Sequence, residues 1–319
     1  FGRSASPIYH LFVQQAKKLE PRYLSLVIPA RWYAGGKGLD EFRAEMLNDN
    51  RLRQIHDFPD ATDVFPGVQI KGGICYFLWD RDHRGLCRVC SYVKQERVSE
   101  MERPLLEEGA DVFIRYNEAI PILEKVRAHR EPSIKDIVST RKPFGLPTNY
   151  IGKSKPFPGA VKLYQNGGVG YVSRNEITEN VEWIDAHKVL ISMAYGAGEN
   201  FPHQILNRPF YAEPNSACTE TYMVIGPFAS ITHAENAITY IATKLFRFLV
   251  LLNKPTQHNP RRVFTFVPMQ DFSKSWTDEE LYAKYGLTQE EIAFIESMVR
   301  PMDLTSANQN GKDWTDDEE

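Results

Sequence analysis

Tyr23-Leu-Ser-Leu-Val-Ile-Pro29 is a short, nearly continuous apolar run stopped by proline. Such a run predicts a strand buried on both faces of a parallel sheet. Upstream, Ser6-Pro7 reads as an N-cap followed by proline at the first helical position, and Ile8, Phe12, Ala16 and Leu19 then share one face of a helix ending near Glu20. Downstream, residues 31–38 must be loop, residues 39–47 a second helix, and residues 52–58 and 73–79 two more strands. Residues 86–93 read as the second arm of a hairpin closed by the turn at 80–85. The expected class is therefore α/β, and these elements make half of a doubly wound sheet that lacks its beginning.

Beyond residue 93 the pattern changes. The charged stretch 94–109 reads as a domain boundary, and residues 112–128 look helical although Pro121 should kink or end that helix. Residues 143–222 are rich in Gly, Pro, Asn and aromatics, with short strands expected at 161–164, 170–172, 189–193 and 222–225, a small irregular β-rich domain. Ile238, Ile241, Leu245, Leu249 and Leu252 recur at helical spacing and predict one long packed helix over 234–252, with a last strand at 263–267. Thr277-Asp-Glu-Glu280 and Thr288-Gln-Glu-Glu291 are capping boxes for two short helices separated at Gly286. Residues 303–319 end in Asp313, Asp316, Asp317, Glu318 and Glu319 and read as a disordered acidic tail, in which 314–318 echoes 276–280.

At 319 residues and 42% hydrophobic composition the chain can bury a real core, and its length suggests two domains. The longest apolar run, 237–252, is interrupted by Lys244 and Arg247. It falls short of the ~20 residues of a membrane span, so no membrane association is expected. Phe1-Gly-Arg-Ser carries no secretory signal, and the chain reads as part of something longer. Four irregularly spaced cysteines fit a reducing cytoplasm rather than a disulfide framework. Net charge is −3, which excludes a uniformly basic coat. Yet Arg127, Arg130, Lys135, Arg141, Lys142, Lys153, Lys155 and Lys162 follow one another with only Glu131 and Asp136 between them, a candidate phosphate-binding surface.

Several smaller constellations suggest chemistry. Cys87-x-x-Cys90 with His83 hints at a metal, but residues three apart on a strand face opposite ways, so packed thiols and no metal are expected. Asp60 with Lys71 resembles a relaxed nuclease triad around magnesium, lacking its second carboxylate. Gly35-Gly36-Lys37-Gly38 and Gly167-Gly168-Val169-Gly170 lack the spacing of a nucleotide fingerprint and read as turns.

The order of segments is more specific. The run Tyr23 to Trp32 (YLSLVIPARW), the helix containing Glu41-Phe42-Arg43, and Asp63-Val-Phe-Pro-Gly-Val-Gln-Ile-Lys-Gly-Gly-Ile-Cys-Tyr-Phe77 resemble the adenine-N6 DNA methyltransferases of restriction-modification systems, of the type II and type IIG Eco57I-like kind. Residues 111–272, with Lys188-Val-Leu-Ile-Ser192, Tyr195-Gly196, Thr219-Glu-Thr-Tyr222 and Phe266-Val-Pro268, look like a target-recognition domain. The resemblance implies the C-terminal half of a Rossmann-like methyltransferase sheet at 1–98, an α+β target-recognition domain at 99–272, a terminal helical pair at 273–302 and the acidic tail at 303–319. The implied activity is methyl transfer from S-adenosylmethionine to a flipped adenine in double-stranded DNA. The chain lacks the glycine-rich cofactor loop and the Asn-Pro-Pro-Tyr type motif; Ser6-Pro7-Ile8-Tyr9 has the wrong third residue. Catalysis and cofactor binding therefore fall to an N-terminal methyltransferase portion expected to precede Phe1.

By the same resemblance Phe65 matches an aromatic that stacks on the extruded base. Arg141, Lys142, Lys153, Lys155 and Lys162 are candidate phosphate contacts, and Asn149, Tyr150, Gln165 and Asn166 candidate base contacts. Two alternatives are a magnesium-dependent nuclease acting through Asp60 and Lys71, and a non-enzymatic assembly module using an exposed apolar stripe on 234–252.

Overall fold

The computed structural model describes residues 7–34, 38–70, 72–195, 202–254 and 257–304. Ser6, Gly35, Gly36, Lys37, Lys71, Gly196 and residues 305–319 lie outside them, and with them the proposed N-cap, most of the first glycine loop, the nuclease-type lysine and nearly all of the acidic tail. The chain is mixed α/β and divides into two compact units, residues 1–121 and 122–319.

In the first unit, α1 (Tyr9–Lys18), β1 (Tyr23–Pro29), α2 (Asp40–Asn48), β2 (Leu52–Phe58), β3 (Ile74–Asp80), β4 (Cys87–Val93) and β5 (Glu96–Arg103) follow in order. The sheet order is β1-β3-β2-β4-β5. Only β2 and β4 pair in parallel; β1 with β3, β2 with β3 and β4 with β5 are antiparallel. This corrects three expectations. First, β1 is an edge strand whose residues alternate, with Leu24, Leu26 and Ile28 turned inward and Tyr23, Ser25 and Val27 exposed, because an antiparallel ladder covered on one side needs only one apolar face. Second, β4 does not form a hairpin with β3; it crosses to the far side of β2. Third, the charged stretch after residue 93 does not break the pattern but forms strand β5.

The helices follow a similar logic. Helix α1 starts at Tyr9 and buries Val13, packing Tyr9 edge-on against Phe42 of α2. Its Ile8, Phe12 and Leu19 stripe is exposed. Expected at 112–128, α3 begins only at Ala119 and ends at Ala128. Pro121 thus occupies the first turn, where no intrahelical N–H bond is lost.

The second unit holds two three-stranded sheets. β6 (Ala160–Gln165) and β7 (Gly168–Ser173) form a hairpin that turns at Asn166-Gly167, so of the second glycine cluster only Gly167 lies in the turn and the rest begins β7, and β10 (Ser216–Cys218) joins β6 in parallel. The other sheet has β8 (His187–Ser192) between β9 (Phe210–Ala212) and β11 (Tyr222–Phe228). Phe144, Leu163, Ile184, Leu190 and Val224 are among the buried side chains of the core beneath them, each large apolar group contributing ~1.5–3 kcal/mol.

The helix expected over 234–252 is two helices, α4 (Ile231–Ala242) and α5 (Lys244–Leu252), because Thr243 turns the backbone to an extended conformation and caps the second. Their apolar residues Ile241, Leu245, Leu249 and Leu252 are buried, so the exposed stripe of an assembly module does not exist there. Residues 261–264 form a 3-10 turn begun at Pro260 instead of a strand. Helices α6 (Asp278–Lys284) and α7 (Gln289–Met298) carry both expected capping boxes, with Gly286 between them at φ 60°. Among the described residues no helix is long and apolar enough to cross a membrane.

Candidate nucleic-acid interface

In the first unit the loop from β2 to β3 is built on aromatic packing. Phe58 stacks on Tyr92 with ring centroids 4.5 Å apart, and His56 on Tyr76 at 4.3 Å. Phe58, Ala61 and Ile74 are buried in this cluster. One residue before Phe58, the buried Asp57 carboxylate takes a bidentate bond from Arg115, at 2.6 and 2.8 Å. Burial opposes the charge on Arg115 and Asp57 more than offsets this, so its pKa lies above the ordinary guanidinium value.

Asp60 accepts bonds from the Thr62 N–H at 2.9 Å and the Thr62 hydroxyl at 2.7 Å, capping a 3-10 turn at Ala61–Asp63. Asp63 in turn accepts from the Lys94 N–H at 2.7 Å, tying the loop to the β4–β5 turn. At the far end, Gly73 adopts φ +75°, and a Cβ there would lie 2.1 Å from the Phe58 carbonyl oxygen, so only glycine fits.

Between these anchors Phe65-Pro66-Gly67-Val68 makes a turn closed by the Val68 N–H on the Phe65 carbonyl at 3.0 Å. Pro66 presets the second position, and Gly67, at φ +81°, supplies the third. Phe65 is 42% exposed, flanked by exposed Val64 and Val68. Cys87 and Cys90 are both buried, and burial pushes the Cys87 thiol up to about 12.

In the second unit three of the predicted cations, Arg141, Lys142 and Lys162, meet acidic partners distant in sequence. Arg141 bonds the Glu220 carboxylate, and Lys142 lies 3.9 Å from it. Their segment is fixed from both sides: Ser139 exchanges bonds with Val224, and Phe144 is fully buried. Lys162 bonds Glu213 at 2.7 Å, and Glu213 accepts also from Tyr164. Burial works against the charge on Lys162, but the bonds to Glu213 and Tyr164 outweigh it and raise its pKa; on Tyr164 burial and Glu213 together push the phenol up to about 12.

The loop after Leu146 is equally tied. Tyr150 closes a turn on the Pro147 carbonyl at 3.0 Å and donates its hydroxyl to Glu176 at 2.7 Å. Burial and then Glu176 raise the Tyr150 phenol to about 12. The Gln165 side-chain oxygen accepts from the Gly152 N–H at 2.7 Å, which occupies it with holding the loop. Lys153 exchanges backbone bonds with Tyr171 and sits 4.4 Å over the Phe157 ring. Asn149, Lys155 and Asn166 are exposed.

The sequence reading gave no site role to Glu176, Glu213 or Glu220, which lie 26 to 79 residues from the groups they meet. No local spacing signals such pairs. Lys188, quoted for its strand, is fully buried and donates to the carbonyls of Ile184, Ala186 and Glu213; burial lowers its pKa to about 8.

Residues 1–65 match the model of the Eco57I restriction-modification methylase family. A protein of Mycoplasma pneumoniae (strain ATCC 29342 / M129 / Subtype 1), described as an uncharacterized adenine-specific methylase, is 39% identical over 85 residues. That stretch is 26% of this chain and spans 20% of the relative's length. Among solved structures, the type IIG restriction endonuclease BpuSI superposes with a TM-score of 0.35 at 10% identity, over 90% of this chain and 45% of that one. The type IIL restriction-modification enzyme MmeI in complex with DNA gives 0.38 at 9%, over 81% and 39%.

Proposed function

We propose that this chain is the recognition part of an adenine-N6 DNA methyltransferase from a restriction-modification system. In this reading the first unit is the C-terminal half of a Rossmann-like sheet and the second is the target-recognition domain that grips double-stranded DNA. One observation carries it: the family match runs through residue 65, and residue 65 is an exposed phenylalanine on a turn clamped at both ends. An aromatic presented this way suits stacking on a base taken out of the duplex, as chemistry on an adenine amino group requires.

S-adenosylmethionine would be the methyl donor of the whole enzyme. The residues after β1 do not fit it: Ala30, Trp32 and Tyr33 enter a 3-10 turn and are buried in the core. On this reading the cofactor and the transfer step belong to another portion of the protein. That portion would join at the edge of β1, which has β3 as its one ladder partner among the described residues, and at the exposed Ile8, Leu11, Phe12 and Leu19 of α1.

The test is Phe65→Ala in the complete methylase, with 2-aminopurine at the target position and melting of the variant measured together. Stacking is worth ~1–3 kcal/mol per base, so flipping should weaken by about one to two orders of magnitude while Tm holds. Unaltered fluorescence with a large fall in Tm would make Phe65 a packing residue and remove the reading's main support.

A further inference from the structure

Ile151 is 81% exposed, more than any other large apolar side chain among the described residues. Single exposed apolar groups are common on protein surfaces and mean little by themselves. What distinguishes Ile151 is that the backbone on both sides of it is fixed. Before it, Tyr150 is held by the Pro147 carbonyl and through its hydroxyl by Glu176. After it, the Gly152 N–H is bonded to Gln165 and Lys153 is laddered in both directions to Tyr171. Gly152 also approaches the second strand of the hairpin so closely that a Cβ would stand 2.8 Å from both the N and O of Tyr171. The side chain is thus presented on a preorganised tip, and little ordering entropy remains to be lost on contact.

The chemistry around that tip narrows what it meets. Asn149 lies two residues before Ile151, and Lys153 and Lys155 lie two and four after it, all exposed. A protein partner would require an apolar patch of many residues, and one isoleucine amid amide and ammonium groups is not one. Ammonium groups beside an apolar tip fit a duplex, whose phosphates take the cations and whose thymines each offer one apolar group, the 5-methyl, in the major groove.

We propose that Ile151 is a specificity-determining contact that recognises the 5-methyl group of one thymine in the target duplex, with Lys153 and Lys155 on the adjoining phosphates. This rests on the DNA-recognition reading above. The experiment uses the full chain and a duplex it selects from a randomised pool. Each thymine is replaced in turn by uracil, which lacks only the methyl. At one position wild-type affinity should fall about fourfold, the value of one buried methyl group. Ile151→Ala should bind the unmodified duplex more weakly and show no response at that position, Ile151→Val should retain most of the response, and Tm should be unchanged in both.

A loss in Ile151→Ala that is the same for every uracil duplex, or no loss at all, overturns the proposal while leaving DNA binding intact. Unchanged DNA binding with an altered sedimentation coefficient would mark Ile151 as a protein contact and also overturn it. A wild-type chain that selects no duplex fails the DNA-recognition reading itself.

Discussion

Asp49 concentrates more of the first unit's polar bonding than its sequence neighbourhood suggests. Its carboxylate, 6% exposed, accepts from Lys17 at 2.9 Å, from Trp79 at 2.9 Å, and from Arg51 through Nε at 2.7 Å and Nη2 at 3.0 Å. These donors come from α1, β3 and the turn into β2, so one side chain joins three elements. Burial alone would raise its pKa; the bonds from Arg51, Lys17 and Trp79 outweigh it and hold the carboxyl well below the usual range. A depressed carboxylate contributes stability that is present above its unfolded value of about 3.9 and is lost as pH falls through the folded value. Asp49→Asn turns one acceptor into a donor facing other donors and should cost about 1–3 kcal/mol at pH 7. Denaturant melts at several pH values check this: the gap between wild type and variant should be widest above pH ~4 and narrow in stronger acid. A gap independent of pH would mean that the charge is immaterial.

The break between α4 and α5 shows how a single cap overrides periodicity. Thr243 accepts from the Phe246 N–H, while the Asp278 carboxylate at the start of α6 accepts from the N–H groups of Lys244 and Leu245 at 2.9 and 3.0 Å. The first-turn donors of α5 are thus satisfied by another helix. Asp278→Ala leaves these N–H groups without their partner and should destabilise the second unit by about 1–3 kcal/mol, read as a lower denaturation midpoint with an unchanged m-value. A drop under roughly 0.5 kcal/mol would show that water replaces the carboxylate. The sequence spacing of Ile241, Leu245, Leu249 and Leu252 does identify the buried face. It misses the break because a threonine can continue a helix or cap one, and the capping is completed by Asp278, 34 and 33 residues from the Lys244 and Leu245 N–H groups it accepts from. Strand β2 is legible to the residue, since its pattern and bounds are local. Strand β5 is hidden: Glu96-Arg97-Val98-Ser99-Glu100-Met101-Glu102-Arg103 buries only its last residue and offers no apolar alternation.

For the molecule as a whole, net charge of −3 and a cationic stretch in one unit describe binding only once the partners of each cation are known. The exposure of Phe65 was legible from the proline and glycine beside it, because those residues act on the local backbone. The electrostatics of 141–162 were not, because Glu213 and Glu220 approach from the connections after β9 and after β10, which tertiary folding brings near. On the proposed DNA-binding reading, this distinction sets the salt dependence. Each phosphate neutralised on B-DNA contributes about 0.9 to the slope of log K against log salt. Lys155 is exposed and should contribute that full amount, whereas Lys162 already has its charge matched by Glu213 at 2.7 Å and should contribute less. Arg141 and Lys142 share the single carboxylate of Glu220, so neutralising both should lower the slope by about 0.9 at most, instead of roughly 1.8 for two independent cations. Sequence preference should not change in any of these variants, since phosphates carry no base identity. Fluorescence anisotropy on one duplex between about 50 and 200 mM salt measures the slopes. If Lys155→Ala leaves the slope of wild type intact, this loop does not touch the phosphate backbone, and if the Arg141, Lys142 double variant loses roughly 1.8, Glu220 must release both cations when DNA binds.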